Sequence, residues 1–219
     1  MLNFKFLENP RYLGLIRQGF TNMAIISFFC LILGFLLGLG VALCRQSKVK
    51  ILRIAGTFYV DFIRNTPVLV QMYFLFFGLP VLGIKTDAMV TAILALSINC
   101  AAANCEAIRA GLLAVKKSYY ECSAALGFGR IQTLRYIVLP IALRIAFKPL
   151  TNNFINTVLT TSACFSITVV ELMGASKIIN FSAGRPFEIY LLLLAGYCCF
   201  TFLLSFVSKV IDKKIGIVL

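Results

Sequence analysis

Asp61, Glu106 and Glu171 are carboxylates standing beside or within the most apolar parts of the sequence. Each is chemically able to act as an acid, a base or a cation ligand. Their surroundings narrow that range. The chain of 219 residues contains no histidine, so no Ser/His or Cys/His nucleophile can be assembled. No two carboxylates are spaced as an acid–base pair. Cys30, Cys100, Cys164, Cys198 and Cys199 lie in apolar stretches, where cysteine behaves as a small hydrophobe. No CxxC pair occurs, so neither a zinc site nor a haem site is expected. A G-x-x-x-x-G-K-[ST] phosphate loop is missing as well. The sequence thus predicts no catalytic residue, no metal and no cofactor bound by this chain. What remains is a set of uncharged polar side chains in apolar surroundings: Asn65, Thr66 and Gln71; Asn99 and Asn104; and Thr151, Asn152, Asn153, Asn156, Thr157, Thr160, Thr161 and Ser162. Such groups bond across a helix bundle or line a wet path.

Membrane helices are the elements that must position them. The chain is 60% hydrophobic and only 13% charged, about half the charged fraction of soluble domains. Five stretches carry no charge: Gln18–Cys44, Asn65–Ile84, Ala88–Cys105, Pro149–Val170 and Ile189–Ser208. Each approaches the ~20 residues that cross a bilayer as a helix. A soluble fold would lack polar sequence to coat such a core. A β-barrel would show short alternating segments instead. The expected fold is an all-α integral membrane protein, a single domain over 1–219. Its transmembrane helices are placed at about 18–44, 55–78, 87–113, 149–171 and 187–210. The first is too long for a signal peptide and has no small-residue cleavage site. The net charge of +13 is distributed unevenly. Positive residues cluster after the first helix, between the third and fourth, and in the tail. By the positive-inside rule these segments are cytoplasmic and the N-terminus lies outside. No basic face is free of membrane, which argues against nucleic-acid binding.

Local patterns refine this picture. Gly34, Gly38 and Gly40 allow a close neighbour in lipid. Pro67 predicts a kink near Ile63. Asp61 and Arg64, like Glu106 and Arg109, stand three apart and can pair on one helix face. The connection over 114–148 is far longer than a turn requires. Within it, Ser118-Tyr-Tyr-Glu121 fits a capping box. Gly127 and Gly129 can supply left-handed residues, and a second short helix is expected from Arg130 to about Leu139, punctuated by Pro140. Leu126, Phe128, Ile131, Leu134 and Ile137 form an apolar ridge outside the lipid. Such a ridge packs on the membrane ends of neighbouring helices or docks in a partner's groove.

The loop resembles the EAA signature of ABC importer permeases, which reads Glu-Ala-Ala, three residues, Gly, nine residues, Ile-x-Leu-Pro. Here stand Glu121-Cys122-Ser123, Gly127 and Ile137-Val138-Leu139-Pro140, at that spacing. Phe62-Ile-Arg64-Asn65-Thr66-Pro67-Val-Leu-Val70-Gln71 is similar to the Arg-Gly-Thr-Pro-Leu-Leu-Val-Gln segment of the polar-amino-acid permeases (histidine, glutamine, arginine and cystine type). Pro149-Leu150-x-Asn152, Thr161-Ser162, Val170-Glu171-Leu172 and Pro186-Phe187-Glu188 also match.

This resemblance implies one of two permease subunits in an ATP-driven amino-acid importer of the bacterial inner membrane. It implies two ABC ATPase subunits, which use ATP and Mg, and an external substrate-binding protein. The coupling loop at 114–140 would grip the ATPase through Glu121, Cys122, Ser123, Leu126, Gly127, Ile137, Leu139 and Pro140. The amino-acid path would draw on Asp61, Asn65, Thr66, Gln71, Asn104, Glu106, Asn152, Asn156, Thr161, Ser162 and Glu171. The sequence departs from the pattern at Cys122 and Ser123, at Lys116-Lys117-Ser118-Tyr119, and at Gly129, Leu159 and Ala163. These departures favour a heterodimer over a homodimer. The rival class is an ATP-independent carrier or channel subunit, which has no reason to keep the EAA spacing.

Overall fold

The computed structural model describes residues 4–215, so residues 1–3 and 216–219 of the expected domain lie outside the described residues. A short 3-10 turn, Lys5–Glu8, leads into α1 (Pro10–Arg45). Then come α2 (Lys50–Arg64), α3 (Val68–Val81) and α4 (Ala88–Ala114). The connecting loop holds α5 (Lys117–Ala125) and α6 (Arg130–Thr133). Beyond it lie α7 (Leu139–Thr160), α8 (Leu172–Ala183) and α9 (Pro186–Ile215). By length and apolarity α1, α4 and α9 each suffice to cross a membrane. Two bent pairs, α2 with α3 and the α6–α7 rod with α8, bring the number of candidate spans to five.

The centre of the bundle is α4, which packs against α1, α2, α3 and α7. Small residues make this possible. Ala92, Ala95, Ala101 and Ala102 are all buried, so neighbouring backbones approach closely. A Cβ on Gly34 would lie 2.8 Å from Cys100 Sγ, and one on Gly38 would lie 2.8 Å from Asn104 Cβ. Gly34 and Gly38 therefore form the seam of α1 with α4, while Gly40 faces open space. On the other side of α4, a Cβ on Gly111 would lie 2.3 Å from the carbonyl oxygen of Ala142 on α7.

Caps fix where helices begin. Asn9 Oδ1 accepts from the Arg11 N–H at 3.0 Å, with Pro10 opening α1. Asp87 Oδ2 accepts from the Met89 N–H at 2.9 Å and starts α4. Ser118 does not act as the expected cap. The cap position of α5 belongs to Lys116, which makes no side-chain bond there, and Glu121 reaches Lys117 at 3.1 Å instead. Gly127 is left-handed at φ 77°, whereas Gly129 has φ −68° and caps α6. There the Gly129 N–H donates to Gln132 Oε1 at 2.9 Å.

Pro140 does not end the second short helix. The chain runs on from α6 through a π turn, Leu134–Val138, into α7. Proline offers no N–H to the carbonyl one turn back, and its ring crowds that carbonyl. The widened turn relieves this: the Leu139 N–H bonds to the Leu134 carbonyl, five residues earlier. The fourth expected span is likewise redrawn. Its α-helix ends at Thr160, continues as a 3-10 segment, Thr161–Ile167, and turns at Thr168, whose φ is 70°.

Close packing at Gly111 makes a sharp expectation. Gly111→Val forces the carbonyl of Ala142 away and costs about 1–3 kcal/mol or more, read as a lowered melting temperature in detergent. Gly40→Ala, in open space, leaves that temperature unchanged.

Candidate translocation and coupling site

The second span does not kink but breaks. Helices α2 and α3 meet at 103° across Asn65–Pro67. Pro67 strips one donor, and the freed carbonyls need partners in lipid. Gln71 supplies them. Its Nε2 donates to the carbonyls of Ile63 (2.8 Å) and Thr66 (3.1 Å), and its Oε1 accepts from Asn99 Nδ2 on α4 at 3.3 Å. Thr66 Oγ1 donates to the Phe62 carbonyl at 2.9 Å, and Asn65 Nδ2 to that of Asp61 at 2.8 Å. Asn65, Thr66 and Gln71 therefore pin the elbow.

Asp61 and Arg64 do not pair among the described residues. Arg64 instead extends toward Glu106, at 3.9 Å. Glu106 also meets Arg109 at 3.2 Å and forms a close ion pair with Arg45. One carboxylate thus gathers guanidinium groups from α1, α2 and α4. The i,i+3 spacing exposes the Arg109 partner in the sequence. Arg45 gives no such signal, because its contact with Glu106 depends on how α1 crosses α4.

Asn104 is fully buried. Its Oδ1 accepts from Asn153 Nδ2 on α7 at 3.1 Å, joining two helices in the way lipid favours. Thr161 is also buried and bonds to the Val158 carbonyl at 2.6 Å. Ser162 is half-buried and bonds to the Leu159 carbonyl at 2.8 Å. Glu171 is buried as the cap of α8. It accepts from the N–H groups of Met173 and Gly174 and from the Tyr197 hydroxyl at 2.7 Å.

A different group stays uncovered. Arg144, Lys148, Asn152 and Asn156 recur every four residues along α7, and all are exposed. Asp61 is exposed on α2. On α4, Ala103 and Glu106 are half-buried and Ala110 is exposed.

The coupling loop closes one end of the bundle. Leu126 is 74% exposed and Ile131 81%. Cys122 is exposed, whereas Ser123 is buried and bonds to the Tyr119 carbonyl. Phe128, Thr133 and Leu134 line a cavity of about 610 Å³ together with Leu43, Gln46 and Leu112 from the ends of α1 and α4. Ile137 and Leu139 are half-buried and Pro140 is exposed. Thus the ridge divides: Leu126 and Ile131 face outward, while Phe128 and Leu134 line the cavity beneath the bundle.

Residues 31–217 match the family described as binding-protein-dependent transport system inner membrane component. The chain belongs to this family. The match makes it a multi-pass inner-membrane permease. A probable amino-acid ABC transporter permease of Bacillus subtilis (strain 168), YckA, is 34% identical to it over 200 residues, covering 90% of this chain and 87% of the relative. The L-cystine transport system permease TcyB of the same strain is 36% identical over 194 residues, covering 88% and 82%. A crystal structure of an amino acid ABC transporter with histidines superposes on this permease with a TM-score of 0.87 at 29% identity. That superposition covers 97% of this chain and 100% of the other. The permease is thus an all-helical ABC-importer membrane subunit, as the gapped EAA pattern implied.

The two kinds of ion pair in the permease separate in experiment. Glu106→Gln leaves three guanidinium groups without their carboxylate and costs about 1.5–3 kcal/mol. Glu121→Gln removes an exposed surface pair and costs less than about 1 kcal/mol. Thermal unfolding of the purified subunit in detergent ranks the two variants in that order.

Proposed function

We propose that this chain forms half of the membrane path of an ATP-driven importer for polar amino acids. The observation that carries the reading is the helical rod from Arg130 to Thr160. At 1.5 Å per residue it is roughly 45 Å long. Exposed apolar knobs sit at its first end and an exposed polar stripe lies along its second half. A rod of this kind carries a push at the knobs to the stripe.

The basic segments support a cytoplasmic position for the knobs and an external N-terminus. There Leu126 and Ile131 dock into an ATPase subunit, with Glu121, Cys122 and Gly127 on the same helix pair and Pro140 at the start of the rod. The ATPases bind ATP and Mg, while this chain supplies the path and no catalytic group. A second permease subunit covers the stripe, because exposed amides and charges at membrane depth are costly against lipid. An external binding protein delivers the amino acid. Closure of the ATPases rocks the paired permeases between outward-open and inward-open forms. Asp61, Asn152 and Asn156 face the cargo. Asn65, Thr66, Gln71, Asn104, Thr161 and Glu171 hold the walls in shape. A carrier that works without an ATPase gives no reason for apolar side chains as exposed as Ile131 to stand outside the lipid.

Ile131→Asp and Leu126→Asp change side chains the fold does not bury. Each is expected to leave membrane insertion intact, to lower the ATPase captured with the tagged permease, and to reduce ATP-dependent amino-acid uptake to background. Uptake that persists without a captured ATPase would establish the carrier reading instead.

A further inference from the structure

Helices α1 and α7 both pack on α4 but touch each other sparingly. A groove of about 590 Å³ is left between them, with Leu36 of α1 on one side and Phe147 of α7 on the other. Leu31 and Phe154 line it and also line a second cavity of about 210 Å³, which reaches Val158 and Phe200. The two cavities form one continuous groove. From Arg144 to Val158 it follows α7 for about 20 Å. The hydrocarbon of one leaflet is about 15 Å deep, half of a bilayer core. The groove is long enough to hold an acyl chain across its leaflet.

Its hydroxyls are turned away from such a chain. Thr151 bonds to the Phe147 carbonyl at 3.0 Å and to Ser208 on α9 at 2.8 Å. Thr157 bonds to the Asn153 carbonyl at 2.9 Å, and the Ser27 hydroxyl is buried. Arg144 differs. It lines the groove, is exposed, and has no hydrogen bond or ion pair among the described residues. Two residues before it, Ala142 lies on Gly111, three residues from the end of α4. Arg144 therefore stands at the level where the span ends, the depth of lipid headgroups.

The charge around this end is positive. Helix α9 runs antiparallel beside α7, since Phe200 shares a cavity with Val158 while Ser208 bonds to Thr151. Its last turns carry Lys209, Lys213 and Lys214 toward the end that holds Arg144 and Lys148. Asp212 is the one carboxylate to offset them: α1 and α7 contain no acidic residue, and Glu188 lies in the first turn of α9, at its other end. A second copy of this chain would bring its own net charge of +13 to this end. An apolar groove that ends in unpaired positive charge at headgroup depth suits an anionic head on a hydrocarbon tail.

We propose that this groove holds one phospholipid with an anionic headgroup, its acyl chain between α1 and α7 and its phosphate on Arg144. The site goes beyond the importer reading, which supplies only the leaflet, the cytoplasmic one. Arg144 also opens the polar stripe of α7, so the lipid borders the surface that the second permease covers.

The test uses the whole complex, extracted gently, stripped of lipid and titrated with phosphatidylglycerol or phosphatidylcholine. Native mass spectrometry reads the lipid bound. One phosphatidylglycerol per permease subunit is expected to bind, at least fivefold more tightly than phosphatidylcholine. Arg144→Gln is expected to weaken phosphatidylglycerol about fivefold, the worth of one basic residue at an anionic surface, and to leave phosphatidylcholine unchanged. Arg144→Lys keeps the preference. Arg53→Gln, exposed on α2, removes the same charge away from the groove and is expected to change neither lipid. Equal binding of the two lipids by the native complex overturns the proposal. So does unchanged phosphatidylglycerol binding in Arg144→Gln, or an equal loss in Arg144→Gln and Arg53→Gln, which assigns the preference to net charge alone. A complex that binds no saturable lipid, because the second permease covers the groove, overturns it too. None of these results depends on ATP-driven uptake, so the importer reading stands or falls separately, on ATPase capture.

Discussion

Lipid offers no hydrogen bond, and this constraint sorts the large polar groups of the subunit. A donor or acceptor at membrane depth finds a partner inside the chain, or faces water or another protein. Glu171, Gln71, Asn104 and Glu106 take the first course. Each ties separate elements together: Glu171 joins the start of α8 to Tyr197 on α9, and Gln71 closes the elbow between α2 and α3. Asn104 holds α7, and Glu106 gathers arginines from three helices. Arg144, Lys148, Asn152 and Asn156 take the second course. The same chemistry that locks the walls thus marks, by the exposure of these groups among the described residues, the surface that something else must cover or wet.

Rigidity follows from the apolar half of the same rule. Lipid gives little driving force for burying apolar side chains against each other, so helices hold by close contact of small residues. Gly34 and Gly38 seat α1 on α4, and Gly111 seats α4 on the backbone of α7 at Ala142. A built-in irregularity of the long rod, the π turn before Pro140, lies between the exposed apolar knobs and α7. On the proposed function, a push at Leu126 and Ile131 would pass that turn into α7.

Much of this was legible in the sequence because it depends on local pattern. Charge-free runs located the spans, and the gapped Glu121 to Pro140 signature located the coupling loop. The i,i+3 spacing of Glu106 and Arg109 located one side of the ion cluster. What the sequence hid depends on tertiary contact. Pro67 signalled a disturbance, but its size rests on Gln71 and Asn99, whose amides satisfy the carbonyls of a full break. Arg45 reads as a topology charge until α1 is laid across α4. Glu171 and Asp61 look alike as intramembrane acids, yet one caps a buried helix and the other stands exposed. Ser118 has the right spacing for a cap, but α5 begins before it, at Lys117. Pro140 reads as a stop because a π turn leaves no mark in composition.

The central claim is that this chain is half of a path, completed by a second permease and driven by ATPases. Native mass spectrometry of the tagged subunit, extracted gently from its own membrane, tests this directly. The account predicts an assembly of two permease subunits and two ATPase subunits, whose masses also distinguish a homodimer from a heterodimer. A lone chain, or a homo-oligomer that never captures an ATPase under conditions where a known importer stays intact, would contradict it.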